Sequence, residues 1–309
     1  MKHVPGDGRV MRLGLFAMLA FLATAGLGWA AGIGPRTSDP TMAPDSAERS
    51  LALGVHGVLP DDVRESSGVS VSGHEATLLW THNDGPDPRL FLVRRTGALA
   101  GVVTIDLRSI VDLEDIDVGP CPAGLEGSSC LYVADTGDNQ RNRESYSILI
   151  GPEPTPEVMA GALPTRLEVR ELRFRYPDQS RDAEALAVSA SGEVFVVTKG
   201  QEGASEVFRI PDSGADQVVV AEPVADLPIP VEDKASRITA AAFGPRDHDF
   251  VVRSDDRLFL FSWGSLDVLR AECPLPDAGQ GEGVDFLTEE LFVVTREGRP
   301  APIEVVRCS

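Results

Sequence analysis

The sequence predicts an all-β fold, a five-bladed β-propeller, and three observations predict it. A short pattern, in which an acidic or hydroxyl residue opens a small-and-apolar strand and a Val-rich strand follows, is written five times along the 309 residues. The copies begin Glu65-Ser-Ser-Gly-Val69, Glu114-Asp-Ile-Asp-Val118, Glu184-Ala-Leu-Ala-Val188, Thr239-Ala-Ala-Ala-Phe243 and Glu282-Gly-Val-Asp-Phe286. Their first residues lie 49, 70, 55 and 43 positions apart, centred on the roughly 40–50-residue period of propeller blades. Finally, the β-branched and apolar runs are bounded throughout by Gly, Pro, Asp and Ser, the punctuation of short strands.

Taken in order, the chain opens with Lys2, Arg9 and Arg12 ahead of an uncharged stretch from Leu13 to Ala30. Residues 1–30 are therefore expected to be a secretory signal, with an uncleaved membrane anchor as the alternative. Residues 31–50 are rich in Pro, Ser, Thr and Asp and are read as a flexible linker. The propeller domain is placed at residues 51–309. The five copies supply the inner strands. Second strands are expected at Leu78 to Thr81, Leu131 to Ala134, Val194 to Thr198, Phe250 to Arg253 and Leu291 to Thr295. Third strands follow at Leu90 to Arg94, Tyr146 to Ile150, Val207 to Ile210, Leu258 to Ser262 and Ile303 to Val306. Outer strands are expected at Val102 to Asp106, Leu167 to Arg175, Gln217 to Ala221 and Leu266 to Ala271. The fifth outer strand is lacking in sequence order, and the apolar stretch Leu51 to Leu59 is expected to supply it, closing the ring without an exposed edge. A sixth, degenerate blade in the interval after Glu114 is the alternative to a long loop around Pro152 to Pro164.

Without residues 1–30 the chain has 25 bases against 47 acids. Such a surface repels nucleic acid and anionic lipid, and no basic run interrupts it. The expected partner is a small-molecule or cell-surface ligand met by a monomer, with membrane contact only through a retained N-terminal segment. Export makes disulfides the expected state of the four cysteines. Cys121 and Cys130 share one loop and can pair locally, which leaves Cys273 with Cys308 near the closure. No C-x-x-C occurs, which weighs against zinc.

In a four-stranded blade the start of the inner strand and the turn between second and third strands lie at the same end. Glu65, Glu114, Glu184 and Glu282 are thus expected to converge there as metal ligands. They meet turn residues from His82, Asn83, Asp84, Asp135, Asp138, Asn139, Arg141, Lys199, Arg253 and Arg296. Crowded carboxylates require protons, basic partners or a bridging cation. All-oxygen ligands favour Ca²⁺ or Mg²⁺. His82 with Asp84 is the candidate base for hydrolysis. Asn83, Asp135, Asp138, Asn139, Arg141, Lys199, Arg253 and Arg296 are candidate ligand contacts. No G-x-S-x-G elbow or phosphate-cradling Gly loop is present.

Leu79-Trp-Thr-His-Asn-Asp84, Leu131-Tyr-Val-Ala-Asp-Thr-Gly-Asp-Asn139, Asp182-Ala-Glu-Ala-Leu186 after Tyr176-Pro-Asp, and Val197-Thr-Lys199 resemble a group of exported bacterial β-propeller proteins. The resemblance covers most of Glu65 to Glu297. More distantly, that group is similar to gluconolactonase-like and phytase-like propellers, whose central acidic site holds divalent cations for ester, lactone or phosphoester hydrolysis. The chain departs from the group at Gly85-Pro86, where Ser-Gly is usual, at Thr239 in place of a ring acid, and at Arg253-Ser-Asp. Two functions follow: a ligand-binding propeller with a cation-holding acidic funnel, which is favoured, or a metal-assisted hydrolase.

Overall fold

The computed structural model describes residues 50–159, 165–200, 203–214, 217–246, 248–275 and 279–308. The expected signal (1–30) and linker (31–50) lie outside them, apart from Ser50. Among the described residues no helix is long and apolar enough to cross a membrane.

The strands form five sheets, one per blade, each built on four antiparallel strands that run from inner to outer. Blade one begins with Ser66–Val71, blade two with Leu113–Gly119, blade three with Ala183–Val188, blade four with Ile238–Phe243 and blade five with Gly281–Phe286. Five blades are present, and the interval after Glu114 holds a single blade. Its long connection carries one short helix, Pro156–Met159.

Alternation along the strands sends side chains to two different neighbours. In blade two, Leu131 and Val133 join the core shared with blade one, while Tyr132 and Ala134 join the core shared with blade three. The second strand is therefore buried at every position, and it reads as a continuous apolar run rather than an alternating one. The core between blades two and three is aromatic. Tyr146, Phe174, Tyr176 and Phe208 follow one another at centroid distances of 5.5, 5.6 and 5.0 Å, in tilted or edge-on geometries that suit the ring quadrupoles.

The ring closes as expected. Ser50–Val58 pairs antiparallel with Pro302–Cys308, from Ser50 opposite Cys308 to Val58 opposite Pro302, and becomes the outer strand of blade five. Both disulfides are also as expected: Cys121–Cys130 with Cα atoms 4.9 Å apart, and Cys273–Cys308 at 5.9 Å. Bridged cysteines of this kind belong to an oxidising compartment.

Two outer-strand expectations are corrected. The run Leu167 to Arg175 divides: Thr165–Leu167 adds in parallel to blade one's outer strand, Leu99–Ile105, and only Arg170–Arg175 belongs to blade two. Likewise the outer strand of blade three is Glu222–Asp226, not Gln217 to Ala221, and Val219–Val220 instead adds in parallel to Arg170–Arg175. In both cases a short segment covers the open edge of the preceding blade on the way to its own. Apolar content marks a strand but not its sheet. Pro223, which argues against a strand in sequence, is tolerated because an edge strand needs no ladder N–H on its free side.

Candidate functional site

One device, repeated in every blade, builds the funnel. Each inner strand slips by one residue against its second strand near its start: between Ser66 and Val69, Leu113 and Asp115, Ala183 and Ala185, Ile238 and Ala240, and Gly281 and Val284. A bulge re-aims the extra side chain and breaks the ladder locally. Counting from the paired residue that precedes each bulge aligns Ser67, Glu114, Glu184, Thr239 and Glu282. All five line one cavity of about 180 Å³. The expected ring therefore exists, but Ser67 and not Glu65 is blade one's member. The expected alignment was two residues out. A two-residue slip keeps every side chain on its original face, so the apolar pattern cannot detect it.

Two further rings surround this one. Residues just before the inner strands are Glu65, Asp112, Asp182, Arg237 and Gln280. Residues just after the paired end of the second strands are Asp84, Thr136, Lys199, Asp255 and Glu297. Backbone hydrogen bonds lace them together, from Asp84 N to Glu65 O (2.8 Å), Lys199 N to Asp182 O (3.0 Å) and Glu297 N to Gln280 O (2.9 Å). Asp84, Lys199, Lys234, Arg237, Asp255, Gln280 and Glu297 line the same cavity.

Two carboxylate groups stand out. In one, oxygens of Asp84, Asp112 and Glu114 lie within 4.8 Å of one another, and in the other, those of Glu114, Asp182 and Glu184 do so. Glu114 belongs to both. It is 5 % exposed, and among the described residues its carboxylate has no hydrogen-bond or ion-pair partner. Burial, then the charges of Asp84 and Asp112, push it well above the usual carboxylate range. Burial and the charge of Asp84 push Asp112 up to about 6. On the facing wall burial and the charge of Glu297 push Glu282 up to about 8. These shifts mark carboxylates short of positive charge. In the second group the Lys199 ammonium pairs with Glu184 and stands 3.7 Å from Asp182 Oδ2.

The turn Asp135-Thr-Gly-Asp-Asn139 holds the cluster from beneath. Asp135 accepts hydrogen bonds from Val111 N (3.2 Å) and Asp112 N (3.0 Å) and pairs with Arg143 at 3.0 Å. Thr136 Oγ1 donates to Ala183 O at 2.7 Å, tying blade two to blade three. Asp138 N donates to Asp182 Oδ1 at 2.8 Å, while the Asp138 carboxylate accepts from Asn142 N, Arg143 N and Tyr146 Oη. A Cβ on Gly137 would collide with Glu114 Oε1 and Asp112 Oδ2. Asn139 alone of the five reaches the cavity lining.

The other expected residues fall elsewhere. Glu65 is exposed at the rim. His82 is fully buried outside the lining, with burial lowering it to about 4; its Nδ1 meets Asn83 O at 2.9 Å and its Nε2 has no partner among the described residues. Asn83 accepts from Arg64 N and Glu65 N and braces the approach to blade one. Arg253 is buried and donates to the carbonyls of Gly283 and Thr295, cross-linking blades four and five; burial lowers it to about 10. Arg296 pairs with Glu304 at 3.1 Å. Arg141, at φ 53°, lines a neighbouring pocket of about 310 Å³ with Arg181 and Asp182. The residues not anticipated are Ser67, Asp112, Asp182, Lys234, Arg237 and Gln280. For two of them the signal was legible: Asp112-Leu-Glu114 and Asp182-Ala-Glu184 share an acid-x-acid spelling at a strand start.

No protein-family model matches this chain, and no curated protein matches it in sequence. Among solved structures it is similar to a PQQ-bound aldose sugar dehydrogenase from Streptomyces coelicolor, at 13 % identity and TM-score 0.49, over 86 % of this chain and 100 % of that one. It is also similar to the Cps50 (Swd1) β-propeller domain of Myceliophteria thermophila, at 11 % identity and TM-score 0.37, over 78 % and 82 %. Likeness at these values says nothing about the chemistry of the funnel.

Proposed function

We propose that this chain is an exported binding propeller whose funnel holds a divalent cation of the Ca²⁺ or Mg²⁺ class on Asp84, Asp112 and Glu114, and that the cation takes a small anionic ligand on its open side. The observation that carries this reading is Glu114: a buried carboxylate without a partner, aimed into a cavity and gathered with two others. Burying an ionised carboxylate without a partner costs several kcal/mol. A hard cation removes that cost, and an all-oxygen donor set suits Ca²⁺ or Mg²⁺. Lys234 and Arg237 line the same cavity, so an anion bound to the cation meets positive charge there. Of the two candidate bases for hydrolysis, His82 is buried outside the lining and Asp84, which lines it, is a ligand of the proposed cation, and binding is accordingly favoured over catalysis.

The test is thermal melting and calorimetric titration with Ca²⁺ and Mg²⁺ after chelation. A cation at a hundredfold excess over its Kd stabilises by about 2.7 kcal/mol, or roughly 5–10 °C for a domain of this size. Asp112→Asn is expected to abolish most of that rise. A wild-type chain that takes up neither ion in calorimetry would overturn the proposal.

A further inference from the structure

The two carboxylate groups that share Glu114 are not equivalent, and Lys199 makes the difference. Its ammonium pairs with Glu184 and lies 3.7 Å from Asp182 Oδ2, within the second group. Its side chain is 12 % exposed and those of its partners 9 % or less, so this is an enclosed seat rather than a surface pair. Among the described residues no ion pair is made by Asp84, Asp112 or Glu114 of the first group, whereas the lysine's pairs fall in the second.

The fold explains why the lysine is there. Lys199 occupies the same ring position as Asp84, Asp255 and Glu297 in other blades, and the bond from its N–H to Asp182 O holds its backbone against the acid-x-acid strand start. In a chain that otherwise relies on arginine, Lys199 and Lys234 are the lysines after residue 2. A compact, strongly hydrated ammonium substitutes for a spherical cation among carboxylates.

We propose that Lys199 is a built-in cation: its ammonium fills the second of two overlapping carboxylate seats, so that the chain accepts one divalent cation where its acids would hold two. This rests in part on the function proposed above. It assigns Glu184 and Asp182 to the lysine, leaves Asp84, Asp112 and Glu114 for the metal, and keeps the metal's remaining positions free for water or an anionic ligand.

The experiment is calorimetric titration of the full chain with Ca²⁺, for the wild type, Lys199→Met and Lys199→Arg. The expected stoichiometries are one, two and one. Amine labelling read by mass spectrometry provides a measurement that does not depend on how the variants fold: Lys199 is expected to stay protected with and without Ca²⁺, while Lys234 labels. Two ions on the wild type, or a Ca²⁺-induced rise in Lys199 labelling, would mean that the metal displaces the ammonium and would overturn the inference. One ion on Lys199→Met with unchanged affinity would overturn it too, and leave the proposed function standing. No ion on the wild type but one on Lys199→Met would support the lysine's role and sink the function proposed above. No ion on either would sink both.

Discussion

A missing side chain decides whether Glu114 and Asp112 can share a cavity. At Gly137 any Cβ would stand where Glu114 Oε1 and Asp112 Oδ2 now lie, while the rest of the turn is fixed by Asp135, Thr136 and Asp138 through bonds that do not involve residue 137's side chain. Gly137→Ala is therefore expected to leave the fold intact and to push both carboxylates apart. The check is a chain with a near-native melting temperature in chelator whose Ca²⁺-induced rise is largely lost; a rise equal to that of the wild type would show that the carboxylates re-form around the methyl group. Sequence reasoning placed this turn at the funnel but read its acids as ligand contacts. In the fold their oxygens are taken up by backbone N–H groups, Arg143 and Tyr146. A turn's Asp residues look the same on paper whether they face a ligand or the backbone, because either role asks only for an acceptor.

At the scale of the element, the inner strands face the axis with one edge, and edge N–H groups enclosed there must find acceptors. Buried aspartates from neighbouring blades supply them. Asp115 Oδ2 accepts from Leu186 N at 2.8 Å, Asp117 Oδ2 from Val188 N at 2.7 Å, and Asp285 Oδ2 from Val71 N at 2.6 Å. These acids were visible in the repeated pattern, yet nothing in spacing distinguishes an acid that binds a ligand from one that caps a strand edge. Ser70 then poses a proton count. Its Oγ accepts from Val118 N (3.2 Å) and stands 3.1 Å from both Asp117 Oδ1 and Asp285 Oδ2. One hydroxyl proton divided between two carboxylates leaves them repelling each other unless one of the acids holds a proton. Burial raises both, Asp285 to about 6. Because that folded value lies above the unfolded one, the contribution to stability is complete below about 4 and is lost as the pH rises through about 6. The wild type is thus expected to lose ground to Asp285→Asn across that window. Denaturant midpoints that run parallel for the two chains from pH 4 to pH 8 would contradict the shared proton.

For the whole molecule, the blades were legible because the inner and second strands are buried on both faces and bounded by turn residues, and the closure because Pro302–Cys308 would otherwise be an open edge. What stayed illegible was lateral: which sheet a short apolar segment joins, as with Val219–Val220, and which of two same-face residues occupies the funnel, as with Glu65 and Ser67. The seam depends on the pairing of Ser50–Val58 with Pro302–Cys308, and the Cys273–Cys308 bridge anchors the latter strand to the outer strand of blade four. Its cysteines are 35 positions apart, against 9 for Cys121–Cys130. On the chain-entropy account the seam bridge stabilises by about 3–4 kcal/mol and the local one by about 2–3 kcal/mol. The larger difference is qualitative, since opening the local bridge frees only a loop and the start of one strand, whereas opening the seam bridge frees a strand on which ring closure depends. Replacing Cys273 and Cys308 together by Ser is therefore expected to lower the denaturant midpoint more than the same change at Cys121 and Cys130, and to bring concentration-dependent association as the seam strands separate. Equal losses from the two double variants, with neither associating, would show that the strand pairing closes the ring without the bridge.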